Sequence, residues 1–147
     1  MFKSLIFALA ITVLAVALPR VKRAAYELPD GAELIVGSIK TSFSCNGLGY
    51  GYYADVDNNC QIFHVCNPIE HPDGTQEVEQ YSFFCGNQTV FNQGSLTCAD
   101  PDFAVPCNQA QSFFDLNNRI GDPKAYFLED SDVQRINQAI ESQRGRR

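Results

Sequence analysis

The side chains best suited to chemistry lie in one short segment, residues 51–66, which reads GYYADVDNNCQIFHVC. Asp55 and Asp57 could form a carboxylate pair for acid–base catalysis, and His64 could act as a base. Paired acids are also common in solvated turns, and a histidine on a strand is more often structural than catalytic. The sequence shows no catalytic triad pattern and no metal-binding constellation. We therefore expect these polar groups to shape the backbone, and we expect the protein not to be an enzyme.

Aromatic residues cluster around this segment. Ten of them fall between Phe43 and Phe103, which is more than so small a region can bury. We assign Phe83, Phe84 and Phe63 to the core, so several other rings are expected on the surface. Exposed ring faces stack on the C–H faces of sugars, and neighbouring Asn, Asp and Tyr groups hydrogen-bond the hydroxyl and amide groups. The pattern favours a carbohydrate ligand.

The distribution of charged residues indicates which kinds of ligand the protein can bind. The chain has a formal net charge of −6, and removal of residues 1–23 would reduce 11 basic residues to 7 against 17 acidic ones, which gives −10. Between Cys45 and Cys107 there are eight acidic residues and no Lys or Arg. Nucleic acids and heparin need cations at their phosphates or sulfates. We therefore expect no nucleic-acid partner, whereas an uncharged or cationic ligand remains compatible.

Six cysteines within 63 residues predict a disulfide framework in an exported chain. They are Cys45, Cys60, Cys66, Cys85, Cys98 and Cys107. A metal site is disfavoured because there is no C-x-x-C pair and only two histidines could add nitrogen ligands. Six cysteines allow fifteen pairings, and their spacing does not choose among them. Three bridges of roughly 2–4 kcal/mol each would stabilise a domain whose core is small.

The N-terminal residues predict export. Residues 1–17 are typical of a secretory signal peptide, because Lys3 precedes an apolar run from Leu5 to Leu18 that is too short to span a membrane. Ala15-Val16-Ala17 offers the small side chains that signal peptidase recognises. We therefore expect a secreted protein with no membrane partner.

A basic tetrad follows, Arg20-Val21-Lys22-Arg23. It is either a basic flank of the apolar run or the cleavage site of a furin-like convertase, whose acidic subsites need clustered positive side chains. In the second case residues 18–23 are a short propeptide and the mature chain begins at Ala24.

The elements that must position the candidate side chains are short and mostly β. Alternating and β-branched residues predict three strands, and clusters of Asp, Asn, Pro and Gly predict the turns. A second, shorter hairpin follows around residues 92–95. The strands are predicted at 52–54, 61–66 and 80–85, the turns at 57–59 and 71–74, and the hairpin strands at 89–91 and 96–98. The fold class is small, disulfide-rich and mostly β, with a three-stranded antiparallel sheet and a two-stranded hairpin.

The flanking segments differ in character from this domain. Residues 24–42 are predicted as an extended arm, residues 43–109 as the domain and residues 110–147 as a C-terminal tail. Residues 108–123 show no clear period. Ser131 and Gln134 match a capping box and predict a helix over 132–143. The apolar stripe of this helix is narrow, so we expect it to be marginal or to become ordered on a protein partner.

The cysteine spacing, C-x14-C-x5-C-x18-C-x12-C-x8-C, resembles that of the peritrophin-A, or type-2, chitin-binding domain of arthropod matrix proteins. Internal motifs agree with the family: GYYAD at residues 51–55, CQIFHVC at residues 60–66 and VFN at residues 90–92. The block DLN at 115–117 with GDP at 121–123 is similar to a segment of single-domain cuticular proteins analogous to peritrophins. The resemblance covers about residues 43–128 and implies a type-2 chitin-binding domain at 43–109.

The resemblance also implies a bridge order, first to third, second to sixth and fourth to fifth. In this chain the pairs are Cys45–Cys66, Cys60–Cys107 and Cys85–Cys98. The last pair would enclose a hairpin like the sugar-binding hairpin of hevein-type lectins, with Asn92 at a matching position. The chain departs from the family in having no Trp, and in carrying Gly94 and Ser95 where an exposed aromatic residue can lie. Both departures remove stacking area.

The leading hypothesis is a secreted, non-catalytic chitin-binding protein of the cuticle or another chitinous extracellular matrix. The alternative is a secreted cysteine-rich protease inhibitor or defence protein. The ligand would be chitin, including partly deacetylated chitin, whose cationic amines an acidic surface attracts. A matrix protein is the expected partner of the C-terminal tail. No cofactor is expected.

Individual residues are assigned within this hypothesis. Neighbouring strand residues face opposite ways, so only one of Tyr52 and Tyr53 can meet a given partner, and Tyr53 is favoured as the exposed one. Asn87 lies in an Asn-Gln-Thr sequon and is the candidate glycosylation site. The candidate chitin-binding residues are Tyr52, Tyr53, Phe63, Phe91, Asn92 and Asp100. Among them Phe63 and Phe91 belong either to the core or to the ring platform, and Asn92 is either a turn residue or a ligand group.

Overall fold

A computed structural model describes residues 26–86 and 88–146 of the chain. The predicted signal peptide, the convertase-like site and Asn87 lie outside the described residues. The strands are β1 Gly51–Ala54, β2 Ile62–Glu70, β3 Gln76–Phe84, β4 Val90–Asn92 and β5 Thr97–Ala99, and the α-helices are α1 Ala32–Val36 and α2 Asp130–Arg144. Among the described residues, no helix is long and apolar enough to cross a bilayer.

The three-stranded sheet has the order β1–β2–β3, and both neighbouring pairs are antiparallel. The predicted fold class is confirmed, although β2 and β3 are longer than the alternating pattern indicated. Their pairing continues up to the predicted turn, where the His71 N–H donates to the Thr75 carbonyl at 2.9 Å and the Gly74 N–H donates to the His71 carbonyl at 2.9 Å. β4 and β5 form the predicted second hairpin.

The three disulfides are those that the resemblance implied. Cys45–Cys66 joins the segment before β1 to β2, Cys60–Cys107 joins the β1–β2 turn to the region after β5, and Cys85–Cys98 joins the end of β3 to β5. Their Cα–Cα distances are 5.5, 5.7 and 5.7 Å. Each bridge therefore connects a different part of the fold to the sheet or to its second hairpin.

In the part of the chain that the structure describes, buried apolar side chains form three small clusters instead of one large core. One surrounds Phe91, a second contains Phe113 and Leu116, and a third packs Tyr53 against the Cys45–Cys66 bridge. Small clusters bury little apolar area, so covalent cross-links carry a large share of the stability.

The predicted extended arm contains one helical turn, α1, flanked by Gly31 and Gly37. These glycines have φ angles of 85° and 84°, which glycine adopts without strain. Ala32 is buried, whereas Leu34 is exposed. The prediction of an extended arm is wrong at these residues, because a single turn leaves too few residues for a helical period to be visible.

The segment without a clear period forms a long 3-10 helix, Cys107–Arg119. It packs against β1, the edge strand of the sheet, so its position is set by that edge. Phe113 and Leu116 are buried on it. A period of three residues is not one that a search for α-helical or strand periods detects.

The C-terminal helix begins and ends slightly outside its predicted limits, at Asp130 and Arg144. Glu129 caps it in a capping box with Asp132, so the prediction of Ser131 as the cap is wrong. Ile136 and Ala139 pack into the cluster of Phe113 and Leu116. The narrow apolar stripe therefore orders the helix on its own chain.

Candidate functional site

One face of the three-stranded sheet carries a row of aromatic and aliphatic side chains. The register places Tyr52, Val65 and Tyr81 directly across from one another, and the adjacent row pairs Phe63 with Phe83. Opposite residues in antiparallel strands share a face, as do residues two apart along a strand. We call this surface, made of Tyr52, Phe63, Val65, Tyr81 and Phe83, the open face.

Three phenylalanine rings stack across one end of the open face. The centroids of Phe83 and Phe63 are 5.3 Å apart, and those of Phe63 and Phe91 are 4.4 Å apart. Phe91 is 1% exposed and Phe83 is 45% exposed, so the stack runs from the core to solvent. The prediction that Phe83 belongs to the core is wrong, because its strand position directs the ring to the open face.

Polar groups border the rings on the same face. Asn67 and Glu79 form the next cross-strand pair after Val65 and Tyr81. The Asn67 Nδ2 donates to Glu79 Oε2 at 3.3 Å, and the Tyr81 hydroxyl donates to the same oxygen at 2.5 Å. Residues 41–118 contain no Lys or Arg. The surface thus offers ring faces and hydrogen-bonding groups to an uncharged or cationic ligand.

The structure places the two predicted tyrosines on opposite faces of β1. Tyr52 is half-buried on the open face. Tyr53 is 4% exposed, its ring meets Phe114 edge-on at 4.9 Å, and its hydroxyl donates to the Gly49 carbonyl at 3.0 Å. The prediction that Tyr53 is the exposed ring is therefore wrong, because the Cys45–Cys66 cluster covers that face.

The remaining predicted contact residues have structural roles. Phe91 is buried beneath Phe63, so its ring is not accessible to a ligand at the surface. Asn92 is also buried, and its Oδ1 accepts from the Gly94 N–H at 3.0 Å and the Val105 N–H at 3.1 Å. Asp100 accepts from the Asp102 N–H at 2.8 Å at the start of a short 3-10 helix. Of the six predicted residues, Tyr52 and Phe63 share the open face.

The turn of the second hairpin contacts the C-terminal helix. A Cβ atom at Gly94 would lie 3.0 Å from both Cδ1 and Cγ1 of Ile136 and 3.2 Å from Cγ2 of Val105. A larger side chain at Gly94 would require Ile136, on α2, and Val105 to shift. The absence of an aromatic residue at this turn therefore has a packing reason.

Two amide side chains that the sequence analysis did not assign to the site, Asn117 and Gln93, hold the outer edge of β1. Asn117 Oδ1 accepts from the Tyr52 N–H at 2.9 Å, and its Nδ2 donates to the Tyr52 carbonyl at 3.0 Å. Gln93 Nε2 donates to the same carbonyl at 2.7 Å, and its Oε1 accepts from the Ala54 N–H at 2.9 Å. Both side chains are buried. They satisfy backbone groups that a neighbouring strand would otherwise satisfy.

Asp55 lies at the centre of a buried polar network. One of its carboxylate oxygens, Oδ2, is 3.0 Å from His64 Nε2, 2.6 Å from Asn58 Nδ2 and 3.1 Å from the Tyr26 hydroxyl. His64 Nδ1 is 2.8 Å from Ser82 Oγ. His64 is completely buried, as expected of a structural histidine. The network joins β2, β3 and the N-terminal arm beneath the face opposite the open face.

Aromatic rings from the arm and from the first residue of the domain cover this network, with Tyr26 edge-on to His64 at 4.9 Å. The Phe43 ring stacks on His64 with centroids 4.2 Å apart, and the Phe43 N–H donates to the Tyr26 hydroxyl at 2.8 Å. Burial raises the pKa of Asp55, but hydrogen bonds from His64 and Asn58 outweigh it and hold that pKa below the usual value. Burial also raises the pKa of Tyr26.

We expect Asp55→Asn to remove about 2 kcal/mol from the free energy of unfolding at pH 7, because the carboxylate accepts several charge-assisted hydrogen bonds. Since the folded-state pKa lies below the ordinary 3.8, this contribution is complete above that pH and is lost as the pH falls through the lowered value. Urea unfolding followed from pH 7 to pH 2 measures it. The exposed Asp57→Asn is the control at pH 7. Equal losses at pH 7 and pH 2 would contradict the expectation.

Comparison with known proteins finds relatives for part of the chain. U-scoloptoxin(01)-Cw1a of Cormocephalus westwoodi is 38% identical over 76 residues, which are 52% of this chain and 57% of the relative. U-scoloptoxin(01)-Er1a of Ethmostigmus rubripes is 37% identical over 60 residues, which are 41% of this chain and 44% of the relative. The chain thus spans about half the length of these curated relatives. No solved structure matches significantly.

The family comparison covers the disulfide-bonded part of the chain. All six cysteines, β1 to β5 and the open face lie within residues 45–107. These residues match the family described as Chitin binding Peritrophin-A domain. The predicted family is therefore confirmed for the segment from the first to the sixth cysteine, a chitin-binding domain of the peritrophin-A type.

Proposed function

We propose that the protein is a secreted, non-catalytic chitin-binding protein of the cuticle or another chitinous extracellular matrix, and that the polysaccharide lies along the open face. The observation that carries the proposal is the solvent-facing end of the phenylalanine stack, Phe83 against Phe63, beside Tyr52 in the adjacent row. Buried Phe91 supports Phe63 from below, so the platform is rigid before the ligand arrives. A rigid ring face loses little conformational freedom on binding.

The expected affinity of one domain is weak. Two or three stacked rings, at about 1 kcal/mol each with hydrogen bonds in addition, correspond to dissociation constants of roughly 10⁻⁵ to 10⁻³ M. Retention on a matrix would come from many domains meeting a polymer with many sites. The acidic surface adds an attraction to the amines of partly deacetylated chitin, which fades with salt, whereas stacking does not.

The test compares retention on insoluble chitin, cellulose and chitosan at low and high salt, with two phenylalanine variants. Phe83→Ala is expected to weaken binding of chitin oligomers about fivefold, since it removes one stacking ring. Phe103→Ala is the matched control, because Phe103 is 65% exposed but lies on the short 3-10 helix beneath Arg144, away from the open face. Calorimetry or intrinsic fluorescence titration measures both.

The design has clear contradicting outcomes. If the wild-type chain passes through chitin at both salt concentrations, the proposed function is wrong. If Phe103→Ala reduces binding and Phe83→Ala does not, the ligand lies elsewhere and the open face is the wrong surface. Retention on chitosan that does not change with salt would contradict the electrostatic contribution.

The C-terminal segment bears on the proposed matrix partner. Ile136 and Ala139 are packed inside the chain, so a protein partner would have to bind the outer side of α2, where Val133 is 42% exposed. Asp132 is paired with Arg119 and Arg135 and is not available there.

A second candidate function is that of a secreted defence protein or inhibitor. The observation that favours it is that the two relatives carry toxin names. Inhibition assays against serine proteases, run on the same preparation as the chitin assay, distinguish the two functions.

A further inference from the structure

We propose that Asn117 is a positioning residue for the carbohydrate site, so that the binding unit extends ten residues past Cys107 into the long 3-10 helix. This inference rests on the proposed function, because it concerns the orientation of Tyr52 on the open face. Asn117 lies outside the segment that matches the chitin-binding family.

The geometry begins with β1, which is an edge strand of four residues. Its outer N–H and C=O groups have no neighbouring strand, and such unpaired edge groups need another hydrogen-bond partner. Asn117 holds both groups of one residue, Tyr52, through contacts of 2.9 and 3.0 Å. The Asn117 amide therefore makes the two hydrogen bonds to Tyr52 that a neighbouring strand would otherwise make.

Glycine at position 51 allows the Asn117 side chain to approach the backbone of β1. A Cβ atom at Gly51 would lie 2.4 Å from Asn117 Cγ and 2.5 Å from its Oδ1, so the approach requires glycine at this position. Asn117 is 3% exposed and follows Leu116, which is completely buried in the cluster that α2 completes through Ala139. The C-terminal helix thus anchors the 3-10 helix, and the 3-10 helix fixes the strand that presents Tyr52.

Gln93 holds the same strand from the second hairpin. It donates to the Tyr52 carbonyl and accepts from the Ala54 N–H, so the backbone on both sides of Tyr53 is fixed. The Tyr52 N–H donates to Asn117, whereas the Tyr52 carbonyl accepts from both Asn117 and Gln93. Loss of Asn117 should therefore loosen Tyr52 more than Ala54.

A double-mutant cycle tests the proposal. Asn117→Ala is expected to weaken chitin-oligomer binding about fivefold, as Tyr52→Ala does, and to add little in the Tyr52→Ala background, because both act through one ring. Asn118→Ala, at the exposed neighbouring residue, is the control and should leave binding unchanged. If Asn117→Ala does not fold, Asn117→Asp keeps the acceptor for the Tyr52 N–H while losing the donor to its carbonyl.

A measurement without sugar makes the outcome independent of the proposed function. In the Asn117 variants we expect shifted ring resonances of Tyr52 and faster amide exchange at Tyr52 than at Ala54, with β2 and β3 still protected. Unchanged Tyr52 resonances in a folded variant would overturn the proposal, as would fully additive binding losses in the cycle. Failure of the wild-type chain to bind chitin would instead refute the proposed function, and the resonances would still decide the positioning role.

Discussion

Replacing Cys60 and Cys107 together by alanine is expected to lower the free energy of unfolding by about 4 kcal/mol. The two cysteines are 47 residues apart in sequence, so their bridge closes the longest loop of the three. In the chain-entropy description, a longer loop restricts the unfolded state more strongly. Cys60 is also completely buried beside Phe91, so its loss leaves a packing defect in the same cluster.

The matched control is the pair Cys85 and Cys98, which are 13 residues apart. Their replacement by alanine is expected to lower the free energy of unfolding by about 3 kcal/mol. Urea unfolding at pH 7 of the wild-type protein and the two double-cysteine variants measures both losses of unfolding free energy and shows which is larger. The m-values are compared in the same experiment. A larger loss from the shorter loop would contradict the argument that the Cys60–Cys107 bridge, which ties the long 3-10 helix to the sheet, is the dominant cross-link.

The second large effect is expected from Gly51→Ala, which should lower the free energy of unfolding by about 3 kcal/mol. The added methyl group would overlap Asn117 at 2.4 to 2.7 Å from three of its atoms, and Asn117 is buried and cannot swing into solvent. Moving it breaks both hydrogen bonds to Tyr52 and leaves its half-buried N–H group without that partner. Thermal or urea unfolding of the purified protein measures the loss.

Gly49→Ala provides the control for Gly51→Ala. It lies two residues away, and a Cβ atom there would meet nothing within 4 Å. The change should be neutral or slightly stabilising, since alanine has fewer unfolded conformations than glycine. Asn117→Gly removes all three overlapped atoms, so Gly51→Ala should cost much less in that background. Equal losses at the two glycines, or an undiminished loss in the double variant, would contradict the steric argument.

Short-range patterns predicted the strands well. Three strands, two turns and the second hairpin could be located because alternation and turn residues act within a few positions of one another. The strand limits were too short at the β2–β3 end, where Asn67 to Glu70 pair with Gln76 to Glu79 although their alternation is weak. Once the turn brings the two strands together, their ends pair through backbone hydrogen bonds, and the β-propensity of the individual residues does not predict this pairing.

The candidate site was predicted only in part. Alternation correctly separates Tyr52 from Tyr53, but it does not indicate which face other elements cover. That depends on the Cys45–Cys66 bridge and on Phe114, which contacts Tyr53 from a distant part of the sequence. Phe83 was assigned to the core by composition, yet its partner in the register is Phe63 on the uncovered side.

The amino-acid sequence alone was enough to predict the family, the acidic character of the chain and the positions of the strands, because each follows from spacing, charge or neighbouring residues. It was also enough to predict the disulfide pairing, but only through the resemblance to that family. Contacts between distant segments settled the rest: which tyrosine is buried, how α2 docks at Gly94, and how Asn117 holds Tyr52 across 65 residues. The burial of a side chain and the hydrogen bonding of a backbone group both depend on which other segment packs against them. A local sequence pattern describes only one of the two segments, so it cannot predict such a contact.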